Sequence, residues 1–157
     1  MVRFEPMSEA DFVAYSEHTL ADYAAAHVRA GTYPAEGAIE KARAEFAQLL
    51  PQGLASPNHW LVHLVDESTG QRVGILWWAL RPPGWFIYDI EIRPEHRRKG
   101  HAEAAFRELE RRARTQGIPS IGLHVFGDNA GAIALYEKLG YATTHRMMSK
   151  SVGTNAP

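Results

Sequence analysis

Apolar residues in the first third of the chain recur at helical spacing, and near residue 60 the period shortens to that of a strand. Ser8-Glu9-Ala10-Asp11 has the form of a helix start with an acidic residue in its first turn, and Phe12, Tyr15, Leu20 and Tyr23 then share one broad face. After Gly31-Thr32-Tyr33, Pro34 suits the first turn of a second helix. Its apolar stripe is Ala38, Ala42, Phe46, Leu49 and Leu50, and Pro51-Gln52-Gly53 ends it. Strands are expected over 60–65, 72–80 and 85–92, separated by turns at Ser68-Thr69-Gly70 and Arg81-Pro82-Pro83-Gly84, and such short turns imply an antiparallel meander. Alanines and alternating charges predict a helix over 100–116. A strand over 120–126, a helix over 130–139 stopped by Gly140, and a last strand over 141–150 follow.

The step from strand 85–92 through a helix to strand 120–126 is a crossover, which makes those two strands parallel neighbours. The expected fold class is therefore α+β, a mixed and mainly antiparallel sheet flanked by helices, with one parallel pair joined by a helix. Ligands in such sheets bind at the carboxyl ends of the parallel strands, which directs attention to residues 88–103 and 122–136. One domain is expected over 1–150, with a helical part at 1–58, a sheet-bearing core at 60–150 and a loose tail at 151–157.

The chain has 157 residues, enough for one core, and its 45% apolar and 22% charged composition is that of an ordinary globular protein. A formal net charge of -1 argues against a dedicated nucleic-acid binder. The absence of cysteine excludes disulfides, thiolate metal sites and a cysteine nucleophile. Among the histidines only His59 and His63 approach ligand spacing, and they read as ordinary strand residues, so no metal is expected. The N-terminus has no signal-peptide pattern and no apolar run reaches bilayer length, so a cytoplasmic protein with no membrane partner is expected. Adjacent Trp77 and Trp78 must point to opposite faces of their strand, and one of them could line a pocket, as could Tyr15, Tyr23 or Tyr33.

Ile92-Arg93-Pro94-Glu95-His96-Arg97-Arg98-Lys99-Gly100-His101-Ala102 lies at the strand-to-helix junction. A glycine there lets backbone approach a ligand, the first helical N–H groups have no internal partner, and three cations stand beside them, which suits a pyrophosphate. Taken alone, the same run also reads as a solvated basic helix start. It lacks the earlier glycine and the Gly-Lys-Ser/Thr of a Walker A loop.

The segment resembles the coenzyme A signature of the GCN5-related N-acetyltransferases, Arg/Gln-x-x-Gly-x-Gly/Ala after a strand ending in Val/Ile-x-Pro, with Ala102 at the last small position. Downstream, Leu123-His124-Val125 and Asn129-Ala130-Gly131-Ala132-Ile133-Ala134-Leu135-Tyr136-Glu137-Lys138-Leu139-Gly140-Tyr141 resemble the family's second motif, with tyrosine for its final phenylalanine. The resemblance covers 60–150, and the helices before it fit the place of the family's acceptor site.

This resemblance implies acetyl transfer from acetyl-CoA, without a metal, to an amine. The backbone of Ile90 and Ile92 would bind the pantetheine arm, and the loop Arg97, Arg98, Lys99, Gly100, His101 and Ala102 would hold the pyrophosphate. Asn129 would fix the far end of the arm, and Tyr136 would be the general acid. For the base, His124 is the first candidate, since strand alternation sets it opposite Leu123 and Val125; a buried histidine bonded to backbone is the other reading of that residue. Asp89 and Glu91 share one strand face and are the second choice, acting directly or through water. A non-catalytic acyl-CoA-binding module of the same fold is the competing reading. The acceptor is left open, and so is a homodimer.

Overall fold

The computed structural model describes residues 1–153, so part of the tail expected at 151–157 lies outside the described residues. The elements run β1 (Val2–Pro6), α1 (Glu9–Arg29), α2 (Ala38–Leu49), β2 (His59–Asp66), β3 (Arg72–Arg81), β4 (Gly84–Ile92), α3 (His101–Thr115), β5 (Ile121–Leu123) and α4 (Ala130–Lys138). One sheet carries the strands in sequence order, antiparallel from β1 to β4 and parallel between β4 and β5. This is the mixed sheet expected from the turns and the crossover.

Each face of the sheet has its own core. Trp78, Trp85, Ile87, Leu64 and Leu76 pack against Phe106, Leu109 and Ala113 of α3, while Trp77 and Leu61 pack on the other face against Tyr15 of α1 and Leu50 at the end of α2. The two adjacent tryptophans thus divide between faces, as strand alternation requires. A third apolar cluster, with Leu20, Ala24, Tyr33, Ala38 and Ala42, joins α1 to α2. Helix α1 starts on a capping box, in which Ser8 Oγ accepts from the Asp11 N–H at 3.1 Å and Asp11 Oδ2 accepts from the Ser8 N–H at 3.1 Å.

Four expectations need correction. The first residues are not all helical: Val2–Pro6 forms an edge strand that buries Val2 and pairs with β2. Helix α2 begins at Ala38 rather than near Pro34, because Gly37 takes a left-handed conformation (φ 76°) at its cap and turns the chain into the helix there. The strand expected over 120–126 is reduced to Ile121–Leu123. The strand expected over 141–150 does not form; that segment offers no continuous apolar face, and no edge pairs with it among the described residues.

The shortening of β5 has a local cause in β4. Trp77 pairs with Asp89 but Trp78 pairs with Ile87, so Tyr88 is an extra residue that bulges the strand. The last β4–β5 pair is Ile87 with Leu123, and beyond the bulge the two strands no longer share a ladder. One residue of slip also reverses which side chains face which side. Ile90 and Ile92 join Ile87 against the α3 core, and Asp89 faces α1.

Gly74 on β3 sits where the bulged end of β4 passes closest. A Cβ on Gly74 would strike the Glu91 carbonyl and meet Ile92 at 3.0 Å, so the two strands must separate to admit it. Gly74→Ala is expected to lower unfolding stability by about 1–3 kcal/mol in urea titrations, the ordinary cost of forcing extra volume into a packed site.

Candidate active site

The divergence of β4 from β5 opens a cleft of about 880 Å³. Its walls are β4 from Ile87 to Glu91, the segment 123–126, the inner side of α1, and Asn129 and Tyr136 of α4. Among the described residues the β4 backbone beyond Ile87 has a ladder partner only in β3, which leaves its other edge open to an extended ligand. Two contacts bring α1 across to the far wall. Phe126 meets His27 edge-on at 5.0 Å, and Arg29 Nε lies 3.4 Å from Asp128 Oδ2.

Below the cleft the chain passes from β4 to α3 through the basic loop. Its backbone is left-handed at Arg98 (φ 58°) and at Gly100 (φ 80°), an alternation that aims successive N–H groups into one concavity. The first helical bond is from the Ala104 N–H to the Gly100 carbonyl at 3.0 Å, so the N–H groups of His101, Ala102 and Glu103 keep no helical acceptor. Arg97 Nε donates to the Ile92 carbonyl at 2.9 Å and Lys99 Nζ to the Glu95 carbonyl at 3.0 Å, contacts that stiffen the loop. Nothing lies within 4 Å of where a Gly100 Cβ would stand, so that side of the loop is open.

Asn129 caps α4, its Oδ1 accepting from the Ala132 N–H at 3.2 Å, which leaves the amide nitrogen for a ligand. Seven residues on, close to two helical turns, Tyr136 lies on the same side of α4 and lines the same cleft. Its ring is held edge-on by Phe106 (5.4 Å) and tilted against Tyr141 (6.0 Å), while among the described residues its hydroxyl has no hydrogen-bond partner. Burial, and secondarily the charge of Asp89, pushes the phenol pKa up, so the proton is held firmly at neutral pH.

The three candidate bases fall into different environments. Asp89 lies deep in the cleft, and burial pushes its carboxyl up to about 6; the Tyr15 hydroxyl, donating to Oδ2 at 2.8 Å, opposes that rise. Glu91 is held outward, with both carboxylate oxygens 3.2 Å from Nε2 of His18, which is also 3.2 Å from Asp22. His124 is exposed on the cleft wall with its ring edge-on to Phe126 at 5.4 Å, so the buried, backbone-bonded histidine considered from sequence is not what forms. His59 and His63 stay apart from this chemistry, one accepting from the Trp77 indole at 3.0 Å and the other 3.1 Å from Asp11.

The sequence reading did not single out His18 or His27 and did not connect Tyr15 to Asp89. The usable signal was periodicity: Tyr15, His18 and Asp22 follow one another at spacings of three and four and so share a helix face.

A mixed sheet that splays at its one parallel pair, above a basic loop opening a helix, places the molecule among acetyltransferases of the GNAT fold. Residues 15–141 match the profile of the "Acetyltransferase (GNAT) family", and the chain belongs to that family. YycN of Bacillus subtilis, named as an N-acetyltransferase, is 36% identical over 157 residues, covering 96% of this chain and 99% of its own. YdgE of the same organism, similarly named, is 33% identical over 152 residues (94% and 96%). The solved structure of YycN superposes with a TM-score of 0.92 at 35% identity, covering 98% of this chain and all of that one. An acetyltransferase structure from Pyrococcus furiosus gives 0.64 at 25% identity, covering 97% of this chain and 99% of that one. Among the described residues no helix is long and apolar enough to cross a membrane.

Proposed function

We propose that the chain transfers the acetyl group of acetyl-CoA directly to an amine, with Asp89 as general base and Tyr136 as general acid. One observation carries this reading. Asp89 and Tyr136 line a single cleft, one with its carboxyl raised to about 6 and the other with its phenol kept protonated. At pH 7 such a carboxyl is mostly ionised yet basic enough to take a proton, the poise that general-base catalysis favours.

In this reading the free edge of β4 at Ile90 and Ile92 pairs with the pantetheine amides, and Asn129 contacts the same arm. The N–H groups from Arg98 to Ala102, with the cations of Arg97, Arg98 and Lys99, hold the pyrophosphate. The acceptor arrives as an ammonium beside Asp22, Asp89 and Glu91 and gives one proton to Asp89. The free amine attacks the thioester carbonyl, the C–S bond breaks, and the thiolate takes the Tyr136 proton. The proton lost from the new amide nitrogen restores the phenol through solvent. His124 is second in line as base, because it faces the cleft but is exposed, whereas Asp89 lies buried beside Tyr15.

The test is thiol release from acetyl-CoA across a panel of small amines, peptide N-termini and lysine peptides, together with calorimetry of acetyl-CoA binding. Binding in the low-micromolar to millimolar range and release with at least one amine class are expected; absence of acetyl-CoA binding would overturn the reading. Gly100→Val places a β-branched residue at φ 80°, where L residues are strained by about 1–2 kcal/mol, so the loop conformation that gathers its N–H groups is disfavoured. Acetyl-CoA affinity should fall at least tenfold with unchanged circular dichroism, and undiminished affinity would move the pyrophosphate elsewhere.

A further inference from the structure

Helix α1 passes β4 with Tyr15, His18 and Asp22 on one face, and it meets the two acidic residues of the strand in step. Tyr15 reaches Asp89 and, a turn further along, His18 reaches Glu91. Asp22 follows one more turn on and closes on the same histidine. The inner pair lies deep in the cleft. The outer group opens to it, with the side chains of Glu91 and Asp22 at 35% and 70% exposure, and both residues line the cleft wall.

This outer group is short of donors. Nε2 of His18 lies 3.2 Å from both oxygens of Glu91 and 3.2 Å from Asp22 Oδ2, yet a ring nitrogen carries at most one hydrogen. A single donor thus serves two carboxylates. The ligand atoms of the three side chains all lie within 4.8 Å of one another, a spread that one small cation can bridge. The arginines of the cleft wall are engaged elsewhere, Arg29 with Asp128 and Arg97 with the Ile92 carbonyl. An ammonium brings a positive charge and several N–H donors, which is what the histidine lacks.

We propose that the acceptor is an unbranched aliphatic diamine or polyamine, with one end acetylated at Asp89 and the other held as an ammonium between Glu91 and Asp22. This rests on the amine-acetylation reading above and narrows its acceptor. Asp89 and Glu91 stand two residues apart on one face of β4, which sets them roughly 7 Å apart along the strand. An extended chain advances roughly 1.2 Å per covalent bond, so about four or five methylenes carry one nitrogen to each carboxylate. Leu49 and Tyr88 line the same cleft and give those methylenes an apolar wall. At the inner end the N–C bond forms as the C–S bond breaks, and the outer ammonium takes no part in the transfer. A monoamine would leave the outer carboxylates as they stand, with one donor between them. Because Asp22 and Glu91 face the cleft that receives the acceptor, the cation that reaches them is the substrate's own.

The test compares butane-1,4-diamine with n-butylamine, which share a chain and differ by one ammonium. In thiol release from acetyl-CoA, kcat/KM is expected to favour the diamine by roughly tenfold or more, and the preference should shrink as salt is raised. Glu91→Gln combined with Asp22→Asn should bring the ratio of the two substrates close to one, whatever it does to either rate alone. Calorimetry of each amine with the protein alone makes the same comparison without turnover. Preferential binding of the diamine, lost in the double variant, would uphold the outer ammonium site even if no amine were acetylated, and the acetylation reading alone would then fall. Equal behaviour of the two amines in both assays, including no response to either, would overturn the proposal, as would a ratio that the double variant leaves unchanged. Calorimetric binding of Zn²⁺ without binding of the diamine would also overturn it, by making the group a metal site.

Discussion

Replacing Tyr136 with phenylalanine is expected to slow acetyl transfer by roughly 10²-fold or more while leaving fold and acetyl-CoA affinity intact. The separation is clean because of how the residue is held. Phe106 and Tyr141 pack against the ring and would pack equally against phenylalanine, and among the described residues the hydroxyl has no partner to be orphaned by its removal. What disappears is one proton, kept in place at neutral pH by burial. The loss belongs in the chemical step, so single-turnover transfer to a responsive amine should fall while KM stays near the parent value. A parent-like rate would mean that the thiolate departs unassisted.

The parts of the fold and site that could be read from sequence are those set by neighbours along the chain. The capping box at Ser8, the turns of the meander, the glycine-bearing loop at 97–102 and the Asn129 to Tyr136 spacing all declare themselves within a few residues. β1 was within reach too, since Val2-Arg3-Phe4-Glu5 alternates as a strand does, but the helical period after it dominates the window.

Other features depend on contacts far apart in sequence. The bulge at Tyr88 leaves no local mark, because only the pairing with Trp77 and Trp78 shows that one residue of β4 is extra. That bulge ends β5 at Leu123 and turns Asp89 toward α1, where it meets Tyr15, 74 positions earlier. From sequence Asp89 and Glu91 form one equivalent pair. In the fold one is buried under Tyr15 and the other is engaged by His18, so their chemistry separates. Likewise 141–150 reads locally as a last strand, yet it carries no continuous apolar face to hold it on the sheet, and it pairs with no strand among the described residues.

Asp89→Asn is expected to make the protein more stable and far less active. The carboxyl titrates near 3.8 in the unfolded chain and at about 6 in the fold, with burial the main cause. Between those values the folded state holds a proton that the unfolded state has released, so stability present at low pH is lost as pH rises through that window. A rise of about two pKa units corresponds to a cost on the order of 3 kcal/mol at neutral pH. Asparagine removes the charge and still offers an oxygen to the Tyr15 hydroxyl, so a gain of about 1–3 kcal/mol is expected in urea at pH 7.5, shrinking toward zero near pH 4. Turnover should fall by about 10²–10⁴-fold, and the limb of kcat/KM near pH 6 should vanish. Tyr15→Phe removes a hydrogen bond that lowers the Asp89 pKa, so it should move that limb upward without abolishing activity. If Asp89→Asn keeps both its rate and its acid limb while His124→Ala loses them, the base is the histidine on β5's continuation, and the buried carboxylate serves only to position the α1 wall.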